Sequence, residues 1–199
     1  MNDQPEASPI IKAAGLQSGD SVLEIGFRQI NAMRLFAELV GEHGRVTGID
    51  ISSEHVAKAQ EALGEGSSPN IHAVKGSILD LPFPDSAFDV VFCLGVLHEI
   101  RDLNRAFLEI ARVLRPNGRV LIADFQRFSR LKFVLYRLQV RLRGESCSDV
   151  HPGFTHQSLT ERLRSHGLRE SSYEKPSGEW RMGFIRCESF LLVADKRIE

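Results

Sequence analysis

LNRAFLEIARVLRPNGRVLIADF, Leu103 to Phe125, carries one complete helix-to-strand transition. Leu103, Phe107, Ile110 and Leu114 recur at helical spacing and define one apolar face, with Glu109, Arg112 and Arg115 interspersed. Asp102 stands where an N-cap is needed, and Pro116-Asn117-Gly118 is turn chemistry that ends the helix and feeds a strand, GRVLIADF. Immediately upstream, LDLPFPDSAFDVVFCLGVLHEI (Leu79 to Ile100) supplies another strand, FDVVFCLG. The remaining strand candidates are SVLEIG, RVTGID and NIHAVKG, with helices about Ala32 to Val40 and Glu54 to Leu63 between them. Short apolar runs alternating with helices predict a parallel sheet covered on both faces. Leu159 to Ser165 reads as a further helix and Glu188 to Ala194 as a last strand.

The chain has 199 residues, 42% hydrophobic and 26% charged, which fits one domain. Lys plus Arg (25) nearly balances Asp plus Glu (26), so the net charge of -1 provides no global attraction to nucleic acid or an anionic membrane, and any electrostatic partner must be met locally. The longest apolar run, Val90 to Leu97, is interrupted by Gly95 and is far shorter than a bilayer span. MNDQPEASPI lacks the pattern of a signal peptide, so a cytoplasmic location is expected. Cys93, Cys147 and Cys187 form no CxxC pair, and neither structural zinc nor a disulfide is expected.

VLEIG, VTGIDIS and the two long stretches above appear in an order that resembles the class I S-adenosylmethionine-dependent methyltransferases. The likeness is greatest to the small-molecule branch containing the ubiquinone and menaquinone methyltransferases, and it covers roughly residues 15 to 195. It implies an α/β, Rossmann-like three-layer sandwich. Its seven-stranded, mostly parallel sheet has the order 3-2-1-4-5-7-6, with the last strand antiparallel. The expected organisation is a flexible segment at 1–14 and one domain at 15–199, with a helical lid inserted at about 126–153.

The resemblance also implies a cofactor, S-adenosylmethionine, across the carboxyl ends of the first strands, where open α/β sheets collect ligands. Asp50 follows Gly26 by 24 positions, near the spacing at which an acid meets a ribose hydroxyl pair. By resemblance Asp50 holds the ribose and Ile51 packs on the adenine; Glu24, Gly26, Ser77, Ile78 and Leu94 complete the expected cofactor-binding set. An acid at this strand end could instead cap the helix that begins near Ser53.

The first turn departs from the family. Where the family reads E-x-G-x-G-x-G, this chain has Glu24, Gly26, Arg28 and Ile30. A positive φ at Arg28 or Ile30 would cost about 1 to 2 kcal/mol, and more at β-branched Ile30. The added bulk would also fill cofactor space. Arg28 could fork onto a carboxylate, but an outward position or a structural salt bridge is the plainer reading. Ser77 stands where the family commonly has an acid facing the adenine amino group. A dinucleotide site would need glycines at Arg28 and Asn31, so NAD is rejected. Two functional readings follow. In the first, the chain is an enzyme transferring methyl groups to a small, apolar molecule. In the second, it keeps the fold, has lost the cofactor, and acts as a partner subunit or a repurposed enzyme.

His98 and Glu99 lie where the family places groups near the transferred methyl, and a neutral His98 is the candidate catalytic base. The bland alternative is a histidine that orders its loop. Asp124 either faces the pocket or caps the following helix. His151 and His156, with Asp149 and Cys147, match no metal-site spacing; Thr155 and His156 read as loop and cap before a helix near Gln157. Residues 127 to 143 form a basic amphipathic helix whose apolar stripe, Phe128, Leu131, Leu135, Leu138 and Leu142, is expected to close the pocket while its arginines stay in water. The same arginines could meet an anionic lipid surface, an acidic substrate or a protein. Trp180 and Arg181 are candidates for the acceptor side.

Overall fold

A computed structural model describes residues 9–27, 30–64, 69–127, 129–142, 152–175, 180–182 and 185–197. In chain order the elements are α1 (Pro9–Ala14), β1 (Ser21–Ile25), α2 (Asn31–Val40), β2 (Arg45–Asp50), α3 (Ser53–Leu63), β3 (Ile71–Lys75) and β4 (Phe88–Leu94). A 3₁₀ turn (Leu97–Glu99) leads into α4 (Leu103–Val113) and β5 (Leu114–Phe125). Then follow α5 (Arg130–Leu142), α6 (His156–Ser165), β6 (Leu168–Glu174), a small ladder of β7 (Trp180–Met182) with β8 (Ile185–Cys187), and β9 (Ser189–Lys196). The main sheet runs β3-β2-β1-β4-β5-β9-β6. Its first five strands are parallel, and β9 is antiparallel to both β5 and β6. This is the predicted topology, with the hairpin β7–β8 added before the last strand.

Each central strand is buried on both faces because successive side chains enter different cores. Val22, Val90, Phe92, Leu121 and Val193 pack with α1, α2 and α3. Leu23, Ile25, Val91, Cys93, Ile122 and Leu192 pack with α4 and α6. The result is three layers. Residues 9–14, expected within a flexible segment, are instead helix α1, whose Ala14 is fully buried. Among the described residues, no helix is long and apolar enough to cross a membrane.

The two specific stretches of sequence prove to be two halves of one clamp. Arg112 of α4 donates to the carbonyls of Phe83 (2.7 Å) and Leu81 (2.9 Å) and to the carboxylates of Asp85 and Glu109. Buried Glu109 in turn accepts from the Leu81 amide at 2.9 Å. Asp102 caps α4 as predicted, accepting from the Arg105 amide at 3.0 Å. The Pro116-Asn117-Gly118 turn is a bulge within β5 rather than its beginning. The register against β4 shifts between Phe88 and Val90, and Asn117 takes φ 63°.

A second closure bounds the excursion that contains α5. Phe154 donates to the Phe125 carbonyl (3.0 Å), and Arg127 donates to that of Phe154 (2.9 Å). Gly153, at φ 87°, makes this neck possible, since a Cβ there would lie 2.5 Å from the Gln126 oxygen.

Candidate active site

Parallel pairing brings the carboxyl ends of β1, β2, β3 and β4 to one edge, and most of the predicted residues lie along it. The turn after β1 pivots on Gly26, at φ 76°, whose amide donates to the Ile49 carbonyl at 2.8 Å. A Cβ on Gly26 would meet Val96 Cγ2 at 2.3 Å. The single glycine kept in this turn is therefore the one that both the backbone and the neighbouring loop require.

The strain expected at Ile30 does not arise. Ile30 has φ -71° and ψ -10°, an ordinary helical conformation at the start of α2. Its side chain and that of Phe27 are buried in the core with Met33 and Phe36. Phe27 and Met33 fill the space over Gly48 of β2, where a Cβ would come within 2.6 Å of both. The Ile30 part of the bulk assigned to cofactor space has gone into the core. Arg28 lies outside the described residues. Ile30 offers α2 no side-chain cap, and a helix start of this kind favours a small anion.

Glu24 is 6% exposed, and its Oε2 has no hydrogen-bond partner among the described residues. Burial pushes its pKa up to about 8. Asp50 is equally buried but well held: Oδ1 accepts from the Ser52 amide at 2.8 Å and Oδ2 faces His55 Nδ1 at 3.2 Å. The cap of α3 is Ser52, not Asp50. Each Asp50 oxygen keeps acceptor capacity for a ligand. Ile51 beside it is 74% exposed, an unusual setting for isoleucine. Ser77 Oγ accepts from the Leu79 amide at 3.1 Å, tying it to its own turn. Ile78 is a core residue, so any part it has in ligand contact belongs to its main chain. Leu94 ends β4, half-buried, beside Gly95 at φ 69°.

A pairing absent from the sequence reading joins His98 to Asp124. Asp124 is fully buried at the end of β5, and its carboxylate meets the 3₁₀ turn, while Ser129 Oγ accepts from the Lys132 amide at the start of α5. Its carboxylate accepts from His98 Nδ1 (3.0 Å), the His98 amide (3.1 Å) and the Phe125 amide (2.7 Å). The Nδ1–H bond to Asp124 leaves Nε2 as the basic nitrogen, with Glu99 Oε1 at 3.7 Å and the Phe125 ring edge-on to the imidazole. Burial pulls the His98 pKa down, but the Asp124 hydrogen bond and the charges of Asp124 and Glu99 outweigh it, and the net shift is upward. Cys93 beneath this pair is held as a neutral thiol by burial and by the Asp124 charge.

His156 belongs to a structural contact. Thr155 caps α6, and His156 Nε2 meets the Glu170 carboxylate at 2.8 Å while its ring stacks on Tyr173. Among the described residues no cluster suits a metal ion. Phe128, Cys147, Asp149 and His151 lie outside them, as do the side chains of Trp180 and Arg181, whose backbones form β7.

Residues 23–122 match a family described as a methyltransferase domain. The chain belongs to that family. This methyltransferase domain is 35% identical over 124 residues to a 2-phytyl-1,4-naphtoquinone methyltransferase from Nostoc sp., covering 62% of this chain and 54% of the relative. It is 35% identical over 118 residues to the ubiquinone/menaquinone biosynthesis C-methyltransferase UbiE of Hahella chejuensis, covering 59% of this chain and 47% of that one. The chain therefore spans about half the length of these relatives. Among solved structures, a SAM-dependent methyltransferase from Methanosarcina mazei superposes with a TM-score of 0.74 at 26% identity, covering 96% of this chain and 99% of that one. The residues on the edge of this methyltransferase domain fit such a cofactor. A buried carboxyl with one oxygen unpaired among the described residues suits a cationic amino group, a helix start without a side-chain cap from Ile30 suits a carboxylate, and Asp50 beside exposed Ile51 suits a ribose and its base.

Proposed function

We propose that this protein transfers a methyl group from S-adenosylmethionine to a small, apolar acceptor of the quinone class. The observation that carries the reading is the buried carboxyl of Glu24, whose Oε2 has no partner among the described residues, in the strand that leads to the Gly26 turn and pairs with β2. A buried acid with no partner costs stability, and a site for a cationic ligand gives it a use. The names of the two quinone-acting relatives support the acceptor class.

In this reading Glu24 binds the amino group of the donor, the first amides of α2 bind its carboxylate, and Asp50 and Ile51 hold the ribose and adenine, with Ser77, Ile78 and Leu94 completing the wall. The bound donor supplies a methyl group on a sulfonium that is already a good leaving group. The task left to the protein is alignment and removal of one proton. His98 Nε2 takes that proton from the acceptor, creating the nucleophile. Asp124 fixes the tautomer and orientation of the imidazole and stabilises the cation formed.

The test is transfer of labelled methyl from S-adenosylmethionine to a short-chain, water-soluble naphthoquinol incubated with the purified chain. Labelled product that disappears in His98→Ala is expected. Absence of transfer to any quinol, with donor bound, would overturn the acceptor assignment.

A further inference from the structure

The apolar stripe of α5 does not close onto the protein. Leu131, Val134, Leu135, Leu138 and Leu142 follow one another at helical spacing, and their exposures run from 51% at Leu135 to 80% at Leu142. Among the described side chains of this helix, Phe133 and Tyr136 are half-buried, on a different face. The side predicted to face inward is thus the outer one. At about 100° per residue, Lys132 flanks the exposed stripe on one side and Arg130 and Arg141 flank it on the other.

Charge identifies what this face meets. Between Phe125 and Gly144 the sequence has six basic residues, Arg127, Arg130, Lys132, Arg137, Arg141 and Arg143, and no acid, in a chain whose net charge is -1. A leucine stripe bordered on both sides by long basic side chains is the arrangement of a helix lying in a membrane interface. The stripe enters the acyl boundary, and the basic heads reach the phosphates. A protein partner would bury such a stripe without needing cations along both borders. We infer that α5 docks the protein, parallel to the surface, on an anionic lipid bilayer. This inference is independent of the transfer chemistry.

The experiment is co-sedimentation of the full chain with vesicles of phosphatidylcholine alone and of phosphatidylcholine mixed with phosphatidylglycerol. Partition into the anionic vesicles only, weakening as salt rises, is expected. Arg130→Gln with Arg141→Gln lowers the partition coefficient about 30-fold, from about 1 kcal/mol for each basic residue near the surface. Leu135→Asp with Leu138→Asp abolishes partition; because both positions are exposed, circular dichroism and melting temperature stay unchanged. Failure of the native chain to bind anionic vesicles would overturn the inference, as would equal binding to neutral ones. Self-association that the double aspartate variant dissolves, without any vesicle binding, would assign the face to a second copy instead.

Discussion

Replacing Asp124 by asparagine lowers the rate of methyl transfer by about 10²-fold or more and moves the pH profile toward acid, because the residue acts through the base beside it. His98 titrates above its ordinary value of 6.5 in the folded chain. Its free base, the form that accepts a proton, therefore appears only above that raised value, and kcat/KM of the native protein rises with pH across it. The asparagine side chain removes the charge that raises the pKa while leaving an oxygen able to accept from Nδ1. The base is then free at lower pH but weaker, and an amide at this position can also hold the wrong tautomer. A residue that only braced the loop would leave the pH profile where it was. An unchanged profile in Asp124→Asn, with transfer reduced or not, would contradict the role. The same shift acts on stability. Protonated His98 stabilises the fold below pH about 6.5, and this contribution fades as pH rises through the folded value.

Glu24→Gln makes the ligand-free protein more stable at neutral pH, by about 3 kcal/mol at pH 7, and weakens donor binding. Burial raises the pKa of Glu24 from 4.5 to about 8, so between those values the unfolded chain is ionised while the folded chain keeps its proton. The folded state binds more protons there, and stability falls as pH rises from 4.5 toward 8. Below pH 4.5 both states are protonated and the difference vanishes. Glutamine cannot ionise and removes that slope. Urea unfolding of both proteins at about pH 5 and about pH 8 measures it, with the gap between them expected to widen at the higher pH. Equal stabilities at both pH values would show that Glu24 has a partner or is hydrated. Retention of a buried acid with one oxygen unpaired among the described residues is what a binding site for a cation demands.

The central sheet was legible because its strands are nearly continuous apolar runs, which both faces of a covered parallel sheet require. Strand β6 was not read from its residues. LRESSYE pairs only with β9 at the sheet edge, and such a strand shows little apolar signal. Periodicity correctly placed Leu131, Leu135, Leu138 and Leu142 on one face of α5, but spacing alone does not say which face turns toward the protein. At the first turn, reading Ile30 against a family glycine predicted strain. The chain instead places Ile30 in helical conformation with its side chain in the core. His98 and Asp124 were each visible as candidates. Their contact depends on β4 and β5 lying side by side, a fact of the sheet order rather than of the 26 positions that separate them.

The central claim is that a turn with one glycine still forms a donor site. Calorimetric titration of the full chain with S-adenosylmethionine and S-adenosylhomocysteine, alongside Asp50→Ala, tests it most directly. Micromolar binding of both ligands, weakened at least about 10-fold in Asp50→Ala, is the predicted result. No heat at millimolar ligand, or binding indifferent to Asp50, would contradict it.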